Sequence, residues 1–295
     1  MPDYGRELEF GAFITPSSKA PEQTVELAVT AERSGLDLVT FQDHPYQPAF
    51  LDAFTLMSFI AARTERVRIV PSVTNLPLRP PVVLARAAAS IDLLSGGRFE
   101  LGLGTGAFWD AIVATGSRRL APGESVDALE EAIRIIREVW AVGEPGGVRV
   151  EGEFYTVVGA KRGPAPAHDM GIWLGAYKPR MLRLVGSAAN GWIATLGYLG
   201  GADRLATLNA HIDEGAAQAG RDPAAIHRVL NVSGPGGTSW AGDEREHGVS
   251  ELVDLALEHG ASAFVLASDD AAEIDRFGQE VAPAVRERVA AGRAG

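Results

Sequence analysis

The chain has 295 residues, of which 46% are hydrophobic and 22% are charged, and a formal net charge of −11. This composition is typical of an ordinary globular protein and excludes disordered and fibrous classes. The negative charge disfavours nucleic acid and anionic membrane surfaces as partners, and the lack of cysteine excludes disulfide frameworks, thiol nucleophiles and thiolate metal sites.

The N-terminal segment MPDYGRELEF is too polar for a signal peptide. Apolar stretches such as FTLMSFIAA at 54–62 are far shorter than the roughly 20 residues that span a bilayer. We therefore expect a cytoplasmic protein with no membrane partner.

An apolar run of strand length followed by an amphipathic helix repeats about every 30 residues. The eight predicted strands are residues 8–15, 36–42, 67–75, 98–104, 171–176, 191–195, 227–234 and 261–268. This repeat favours a (β/α)8 TIM barrel over an open doubly wound sheet, folded as a single domain over residues 1–295.

Local signals place the helices between these strands. Pro21 suits the first position of a helix that Gly35 ends, and Asp52 is a plausible N-cap for the next helix. The apolar stripes predicted for the second and third helices are Leu56, Phe59 and Ile60, and Leu84, Ala88, Ile91 and Leu94.

The fourth and fifth strands are separated by about 70 residues, which predicts an insertion. It contains an amphipathic helix near 124–142 and the segment VRVEGEFYTVVG, whose alternation around Gly152 indicates a β-hairpin.

Asp43 and His44 directly follow the second predicted strand. In TIM barrels the catalytic groups lie at the C-terminal ends of the strands. The pair is compatible with a simple turn before Pro45, or with a histidine that exchanges protons in an apolar mouth. Both interpretations remain open from these residues alone.

Two glycine-containing loops at other strand ends could hold an anionic group. GLGTGA at 102–107 matches G-x-G-x-x-A, a weak dinucleotide fingerprint that a plain tight turn explains almost as well. In GAYKPRML at 175–182 a helix begins near Pro179, so that nearby amides and Lys178 could bind phosphate, although Lys178 could equally be a solvated side chain.

Aromatic residues at or near strand ends could contact a flat ligand, although such residues more often belong to a core. The candidates are Phe13, Phe108, Trp109 and Trp192. The histidines other than His44 lack the spacing of a metal site, so we expect no metal.

Several segments together resemble the bacterial luciferase-like superfamily of flavin- and deazaflavin-dependent TIM-barrel oxidoreductases. They are LDLVTFQDHPY, the block from ARTERVRIV to ELGLGTG, DALEEAIRIIREVW, GEFYTV and IWLGAYKPRMLRLVGSAANGWIAT. The resemblance covers about positions 8 to 195, and the combination of T-x-R, P-x-x-L-A-R, L-S-G-G-R and L-G-L-G-T-G is its specific part.

The resemblance implies F420 or FMN bound across the barrel mouth, with hydride transfer to or from a small organic substrate. It places the cofactor ring against Ser72, Val73 and Thr74, with a non-prolyl cis peptide at Ser72–Val73. It places the cofactor phosphate on Thr105, Gly106, Ala107, Gly175, Ala176, Tyr177 and Lys178. It also implies that Asp43 contacts the ring system and that Asp43 and His44 serve proton transfer. A homodimer is implied as well.

Two departures argue against a sugar-phosphate substrate. Deazaflavin-dependent sugar-phosphate dehydrogenases of this superfamily have an acidic glutamate directly after G-T-G, where this chain has Ala107. Only three lysines are present, Lys19, Lys161 and Lys178, and the Phe108–Trp109 pair favours a more apolar substrate.

Three alternatives remain: an oxygen-using monooxygenase with reduced FMN, a non-catalytic cofactor-binding relative, and a metal-dependent barrel hydrolase. The hydrolase is disfavoured because the first strand, EFGAFIT, has no H-x-H pair of ligands.

Overall fold

The computed structural model describes residues 3–234, 240–241 and 243–294. The strands in this part of the chain are β1 (Glu9–Ile14), β2 (Leu38–Phe41), β3 (Arg68–Pro71), β4 (Thr74–Asn75), β5 (Leu101–Gly104), β6 (Val148–Glu151), β7 (Thr156–Ala160), β8 (Ile172–Gly175), β9 (Gly191–Thr195), β10 (His227–Val232) and β11 (Ala263–Ala267). The helices are α1 (Pro21–Arg33), α2 (Ala53–Ala61), α3 (Pro81–Ser95), α4 (Trp109–Ala114), α5 (Pro122–Trp140), α6 (Pro179–Ala188), α7 (Leu196–Leu199), α8 (Leu205–Gln218), α9 (Asp243–Leu257), α10 (Ala271–Arg276) and α11 (Ala282–Ala294).

Nine of the strands form one parallel sheet in the order β3-β2-β1-β11-β10-β9-β8-β5-β4. β3 and β4 are two parts of the third barrel strand, interrupted at Ser72–Val73, where the peptide bond is cis. A parallel bridge between Ile69 and Phe99 joins β3 to the start of the next strand and brings the ends of the sheet together. The predicted (β/α)8 architecture is confirmed.

The insertion lies between the fourth and fifth barrel strands, β5 and β8, as predicted. It consists of α4, α5 and the antiparallel hairpin β6–β7. The Glu131 carboxylate on α5 accepts hydrogen bonds of 2.7 to 3.0 Å from the amides of residues 153 to 155, which fastens the hairpin turn to the helix. The hairpin prediction is confirmed.

The core has two layers. A small cluster fills the barrel interior and contains Leu38, Val70, Trp173, Ile193, Val229, Ala263 and Val265. A larger cluster packs the outer sides of the strands against the helices. Strands buried on both faces explain why the sequence shows continuous apolar runs in place of alternation.

Two residues predicted to lie on buried helix faces are exposed. Phe59 on α2 is 55% exposed, because the buried stripe passes through Leu56, Met57 and Ile60. Leu94 on α3 is 82% exposed. The face of α3 is turned towards Asp92, whose buried carboxylate accepts hydrogen bonds from the amides of Phe99 and Ala167 at 3.2 and 2.7 Å.

The end of the barrel where the strands begin carries a network of charged side chains, which we call the N-terminal rim. Its members are Arg6, Glu9, Arg68, Asp92, Glu100, His168 and His227. Arg68 pairs with both Glu9 and Glu100, and His168 pairs with Asp92 and Glu100 at 2.9 and 3.4 Å. Charges at this rim therefore neutralise one another within the protein.

No helix in the described ranges is both long enough and apolar enough to cross a bilayer. The same ranges contain no group of three or more His, Asp or Glu side chains placed to hold a metal ion.

Candidate active site

Polar side chains from four barrel strands lie at the opposite end of the barrel, which we call the C-terminal mouth. They are Thr40, Ser72, Asn75, Thr195 and Asn231. The Asn231 amide nitrogen lies 3.4 Å from Ser72 Oγ and 3.4 Å from Thr195 Oγ1, across sequence separations of 159 and 36 residues. The closed sheet thus gathers residues that are far apart in the chain.

Three side-chain oxygens at this mouth are buried and have no hydrogen-bond partner among the described residues: Thr40 Oγ1, Asn75 Oδ1 and Asn231 Oδ1. A buried polar atom without a partner costs roughly 1 to 3 kcal/mol, and such atoms in native proteins require an explanation. A bound group that carries hydrogen-bond donors and acceptors supplies one.

The Asp43 carboxylate is buried and accepts three hydrogen bonds. Oδ2 accepts from Asn75 N at 3.0 Å and Arg79 Nε at 2.8 Å, and Oδ1 accepts from Arg79 Nη2 at 2.7 Å. Its side chain is 1% exposed. In this structure Asp43 anchors the segment that carries Asn75. Its roles in proton transfer and cofactor contact stay predictions.

His44 is half-buried and lies among aromatic side chains. Its ring centroid is 5.4 Å from that of Tyr46, 5.5 Å from that of Phe108 and 6.3 Å from that of Phe50. Nδ1 lies 2.6 Å from Tyr46 Oη, whereas Nε2 has no hydrogen-bond partner in the described part of the chain. Nε2 is therefore available to a ligand.

Burial lowers the pKa of His44 below its usual 6.5, and the charge of Asp43 only partly opposes this effect. The imidazole is thus neutral near neutral pH and can accept a proton. Burial also raises the pKa of Tyr46, and the Asp43 charge raises it further, so that the phenol remains protonated.

Val73 occupies space that three glycines leave free. A β-carbon at Gly104 would lie 2.6 Å from Val73 Cγ2, one at Gly175 would lie 3.1 Å from the same atom, and one at Gly102 would lie 3.4 Å from Val73 Cγ1. Val73 packs against the interior cluster beneath the mouth. The Ser72–Val73 segment is therefore at the predicted place, with Ser72 in contact with Asn231.

Thr74 does not face the mouth. It lies opposite Leu103 in the β4–β5 register, and Leu103 belongs to the outer core layer. Its side chain is fully buried. Adjacent residues on parallel strands point to the same side of the sheet, so the Thr74 side chain lies on the outer side, where its buried Oγ1 has no hydrogen-bond partner among the described residues. The contact between Thr74 and a cofactor stays a prediction.

The segment Thr105, Gly106 and Ala107 forms a loop directly after β5, before α4. Gly106 has a φ of 86° and sits against Pro77 and Ile112, so that a side chain there would be strained and crowded. Ala107 and Phe108 are exposed, and Trp109 is half-buried at the start of α4. The whole loop borders the mouth.

The second predicted phosphate site, Gly175 to Lys178, lies between β8 and α6, which begins at Pro179 as expected. The Ala176 carbonyl accepts a hydrogen bond from Trp192 Nε1 at 2.8 Å, and the Tyr177 hydroxyl accepts one from Thr195 N at 3.0 Å. Lys178 is exposed. An amide-rich turn with one exposed cation is compatible with an anionic group.

Of the predicted substrate-pocket aromatics, Phe13 packs against the interior cluster and Phe108 contacts His44. Trp192 is 1% exposed and belongs to the outer core layer, because Gly191, Ile193 and Thr195 are the residues of β9 that point inward. Its place in a substrate pocket stays a prediction.

The sequence analysis missed Thr40, Tyr46, Arg79, Thr195 and Asn231. Asn231 had a usable signal, because it is a lone amide within the otherwise apolar run VLNV of a predicted strand. Arg79 had none, since its pairing with Asp43 spans 36 residues.

Comparison with known proteins identifies the family of this chain. Residues 8–234 match the family model described as luciferase-like monooxygenase. The F420-dependent glucose-6-phosphate dehydrogenase of Rhodococcus erythropolis (strain PR4 / NBRC 100887) is 32% identical, over 90% of this chain and 86% of that protein.

Two solved structures share the fold. An F420-dependent secondary alcohol dehydrogenase in complex with an F420–acetone adduct has a TM-score of 0.80 at 20% identity, over 95% of this chain and 99% of that one. A riboflavin lyase with modified FMN and riboflavin has a TM-score of 0.80 at 16% identity, over 96% and 92%. The family match confirms the resemblance seen in the sequence: the chain belongs to the luciferase-like monooxygenase family.

Proposed function

We propose that this protein is an oxidoreductase that binds F420 or FMN at the C-terminal mouth. It transfers a hydride between that cofactor and a small organic substrate, with His44 as the proton partner. The observation that carries the proposal is one arrangement: the same end of the barrel holds buried oxygens and a half-buried histidine Nε2 that have no hydrogen-bond partner among the described residues.

The unpartnered oxygens fit the polar edge of a flavin-type ring. Asn75 Oδ1 and Asn231 Oδ1 are acceptors that a ring N–H can satisfy, and Thr40 Oγ1 can both donate and accept. Val73 beneath the mouth offers an apolar surface to the flat ring, and Gly104 and Gly175 beside it keep that surface free of further side chains. The donor and acceptor set therefore suits this class of cofactor.

The anionic tail of the cofactor is assigned to the two loops at the mouth. Thr105, Gly106 and Ala107 provide main-chain amides in a segment that Gly106 allows to turn tightly. The N-terminus of α6 and the exposed Lys178 provide a second positive region.

When bound, the cofactor supplies the two-electron acceptor or donor. His44 supplies the proton step: its neutral imidazole accepts the hydroxyl proton of a substrate at Nε2, and releases a proton from the same atom in the reverse direction. The aromatic side chains around His44 restrict water and hold the substrate near that atom.

We further propose a substrate less polar than a sugar phosphate. Phe108 is 59% exposed at the mouth and lies edge-on to His44, so an apolar body would bury it. Ala107 stands where the sugar-phosphate dehydrogenases implied by the resemblance have an acidic glutamate.

The test is separate titration of the purified protein with F420 and with FMN, followed by absorption and fluorescence. We expect saturable binding of one of them, and then substrate-dependent change of its visible spectrum across a panel of alcohols, carbonyl compounds and glucose 6-phosphate. Oxygen uptake coupled to the substrate would instead identify a monooxygenase, because a deazaflavin reacts poorly with oxygen. Absence of binding by both cofactors would overturn the proposal.

A further inference from the structure

Tyr46 contacts the proton partner of the proposed function through a direct hydrogen bond. The distance from Tyr46 Oη to His44 Nδ1 is 2.6 Å, and the two ring centroids are 5.4 Å apart. Phe108 lies edge-on to both rings, with centroid distances of 5.5 Å to His44 and 6.2 Å to Tyr46. The two side chains form a packed pair at the edge of the mouth.

A histidine that exchanges protons through one ring nitrogen is normally oriented by a group on the other nitrogen. The neighbouring carboxylate, Asp43, does not take this role in the structure, because its three hydrogen bonds come from Arg79 and Asn75. The Tyr46 hydroxyl is the group in hydrogen-bonding contact with Nδ1.

We propose that Tyr46 is the positioning residue for His44: its hydroxyl oxygen accepts the Nδ1–H proton in a hydrogen bond and leaves the Nε2 lone pair facing the mouth. The catalytic role given to Tyr46 rests on the proposed function, whereas the hydrogen bond between Tyr46 and His44 is present in the protein without cofactor or substrate. If the bound cofactor takes the hydride from the carbon of a substrate alcohol, the hydroxyl proton would pass to Nε2. The imidazolium keeps its bond to Tyr46 and later releases the proton to water.

A phenol differs from a carboxylate in this position because it is neutral. It orients the imidazole and favours the imidazolium less than a carboxylate would, so that burial still holds the pKa of His44 below its usual value. The charged groups around this pair are Asp43 with its partner Arg79, Asp52 on the far side of Arg79, and Asp110 beyond Phe108, which is exposed and paired with Arg119. His44 is therefore neutral when the reaction needs a base.

The experiment is Tyr46→Phe, which removes the hydroxyl and keeps the ring, with Tyr198→Phe as the matched control. Tyr198 is also an aromatic residue near the mouth, but it is 79% exposed and its ring contact is with Tyr177. Protein labelled with ¹⁵N in its histidine rings is titrated by NMR without cofactor, and the His44 signals are assigned by their loss in His44→Gln.

In the wild-type protein and in Tyr198→Phe we expect neutral His44 to carry its proton on Nδ1. In Tyr46→Phe this preference is lost, and the titration midpoint of His44 falls by about one pH unit, because a hydrogen bond that stabilises the imidazolium is gone. Unchanged His168 and His227 signals show that the variant is folded. A wild-type proton on Nε2, or the same tautomer and midpoint in Tyr46→Phe, overturns the inference.

A turnover measurement adds a second readout once a substrate is found. Tyr46→Phe should lower kcat by about tenfold at neutral pH and leave the cofactor Kd unchanged, since Tyr46 acts through His44. An unchanged kcat would contradict the positioning role. Failure of both cofactors to bind would instead refute the proposed function and leave the NMR result intact, so the two failures are distinguishable.

Discussion

The two rims of the barrel both contain polar side chains, but they differ in how far these side chains pair with one another. At the N-terminal rim Arg68 neutralises Glu9 and Glu100, and Glu100 also pairs with His168. At the C-terminal mouth Thr40, Asn75 and Asn231 keep buried oxygens without partners. At the N-terminal rim, Arg6 Nε, Glu9 Oε2 and His227 Nδ1 also lack a hydrogen-bond partner among the described residues, but the last two lie 3.4 Å apart in an ion pair. The unpartnered atoms of the mouth are uncharged oxygens outside any ion pair, and buried polar atoms of this kind indicate a place where something binds.

The histidines of the two rims show the same contrast. Burial tends to lower the pKa of His168, but its hydrogen bond to Asp92 and the charge of Glu100 outweigh burial and raise it. At the mouth burial dominates and lowers the pKa of His44. The charged form of His168 is stabilised by its carboxylate partners and contributes to the stability of the fold. His44 has no such partner, so it remains neutral and can accept a proton.

The largest expected effect concerns the histidine of the mouth. His44→Ala should lower turnover by about 10²-fold or more, because general acid–base catalysis contributes on that scale, while the cofactor Kd measured by fluorescence titration changes little. His168→Ala is the matched control at the N-terminal rim and should retain kcat at temperatures where it is folded. Equal losses of kcat in His44→Ala and His168→Ala would show that catalysis does not distinguish the two rims.

The next effect concerns stability at the N-terminal rim. Arg68→Ala leaves the carboxylates of Glu9 and Glu100 without their main cation. Because these ion pairs are partly exposed, we expect the free energy of unfolding to fall by about 2 to 3 kcal/mol, which is less than the loss for a fully buried pair. Denaturant unfolding measures this, and the cofactor Kd should not change. Arg149→Ala removes an exposed pair on the hairpin and should cost less than about 0.5 kcal/mol. A weakened cofactor complex in Arg68→Ala would show that this rim is coupled to binding.

A smaller effect concerns the mouth itself. Asn231→Leu removes an unpartnered oxygen and two long contacts of 3.4 Å, so the free energy of unfolding should stay within about 0.5 kcal/mol of the wild type. The cofactor Kd should rise by roughly tenfold, the equivalent of one hydrogen bond.

Asn209 provides the contrasting control for Asn231. Its amide is fully paired with His259 and Arg228, so Asn209→Leu should destabilise the protein and leave the cofactor Kd unchanged. If Asn231→Leu were destabilised and still bound the cofactor with the wild-type Kd, the unpartnered oxygen of Asn231 would not contribute to cofactor binding.

The smallest effect is the pH dependence of stability from His168. Its pKa is raised in the folded protein, so the folded state binds the proton more tightly than the unfolded state does. This stabilisation is complete below about pH 6.5, the unfolded value, and is lost as the pH rises through the higher folded pKa. Unfolding measured from pH 5.5 to 9 should show this loss in the wild type relative to His168→Gln. If the free energies of unfolding of the wild type and His168→Gln changed with pH in parallel, the proposed contribution of His168 would be contradicted.

The strand–helix repeat predicted the barrel, the insertion and the hairpin, because apolar runs, Pro21, Asp52 and Pro179 are local signals. The site was predicted less well. His44 and the Ser72–Val73 segment lie where the sequence and its resemblance placed them, whereas Thr74 and Trp192 face the outer layer. In a strand buried on both faces, side chains of either orientation are apolar, so a shift of one residue leaves no trace in the pattern.

The amino-acid sequence by itself determined which segments become strands and helices and that Asp43 and His44 stand at a strand end, since these depend on neighbours a few residues away. The tertiary structure alone decided that Asp43 is occupied by Arg79 while His44 Nε2 is free, and that Ser72, Thr195 and Asn231 meet. Hydrogen bonds between such distant residues depend on barrel closure and strand register, which fix directions in space that no local pattern encodes.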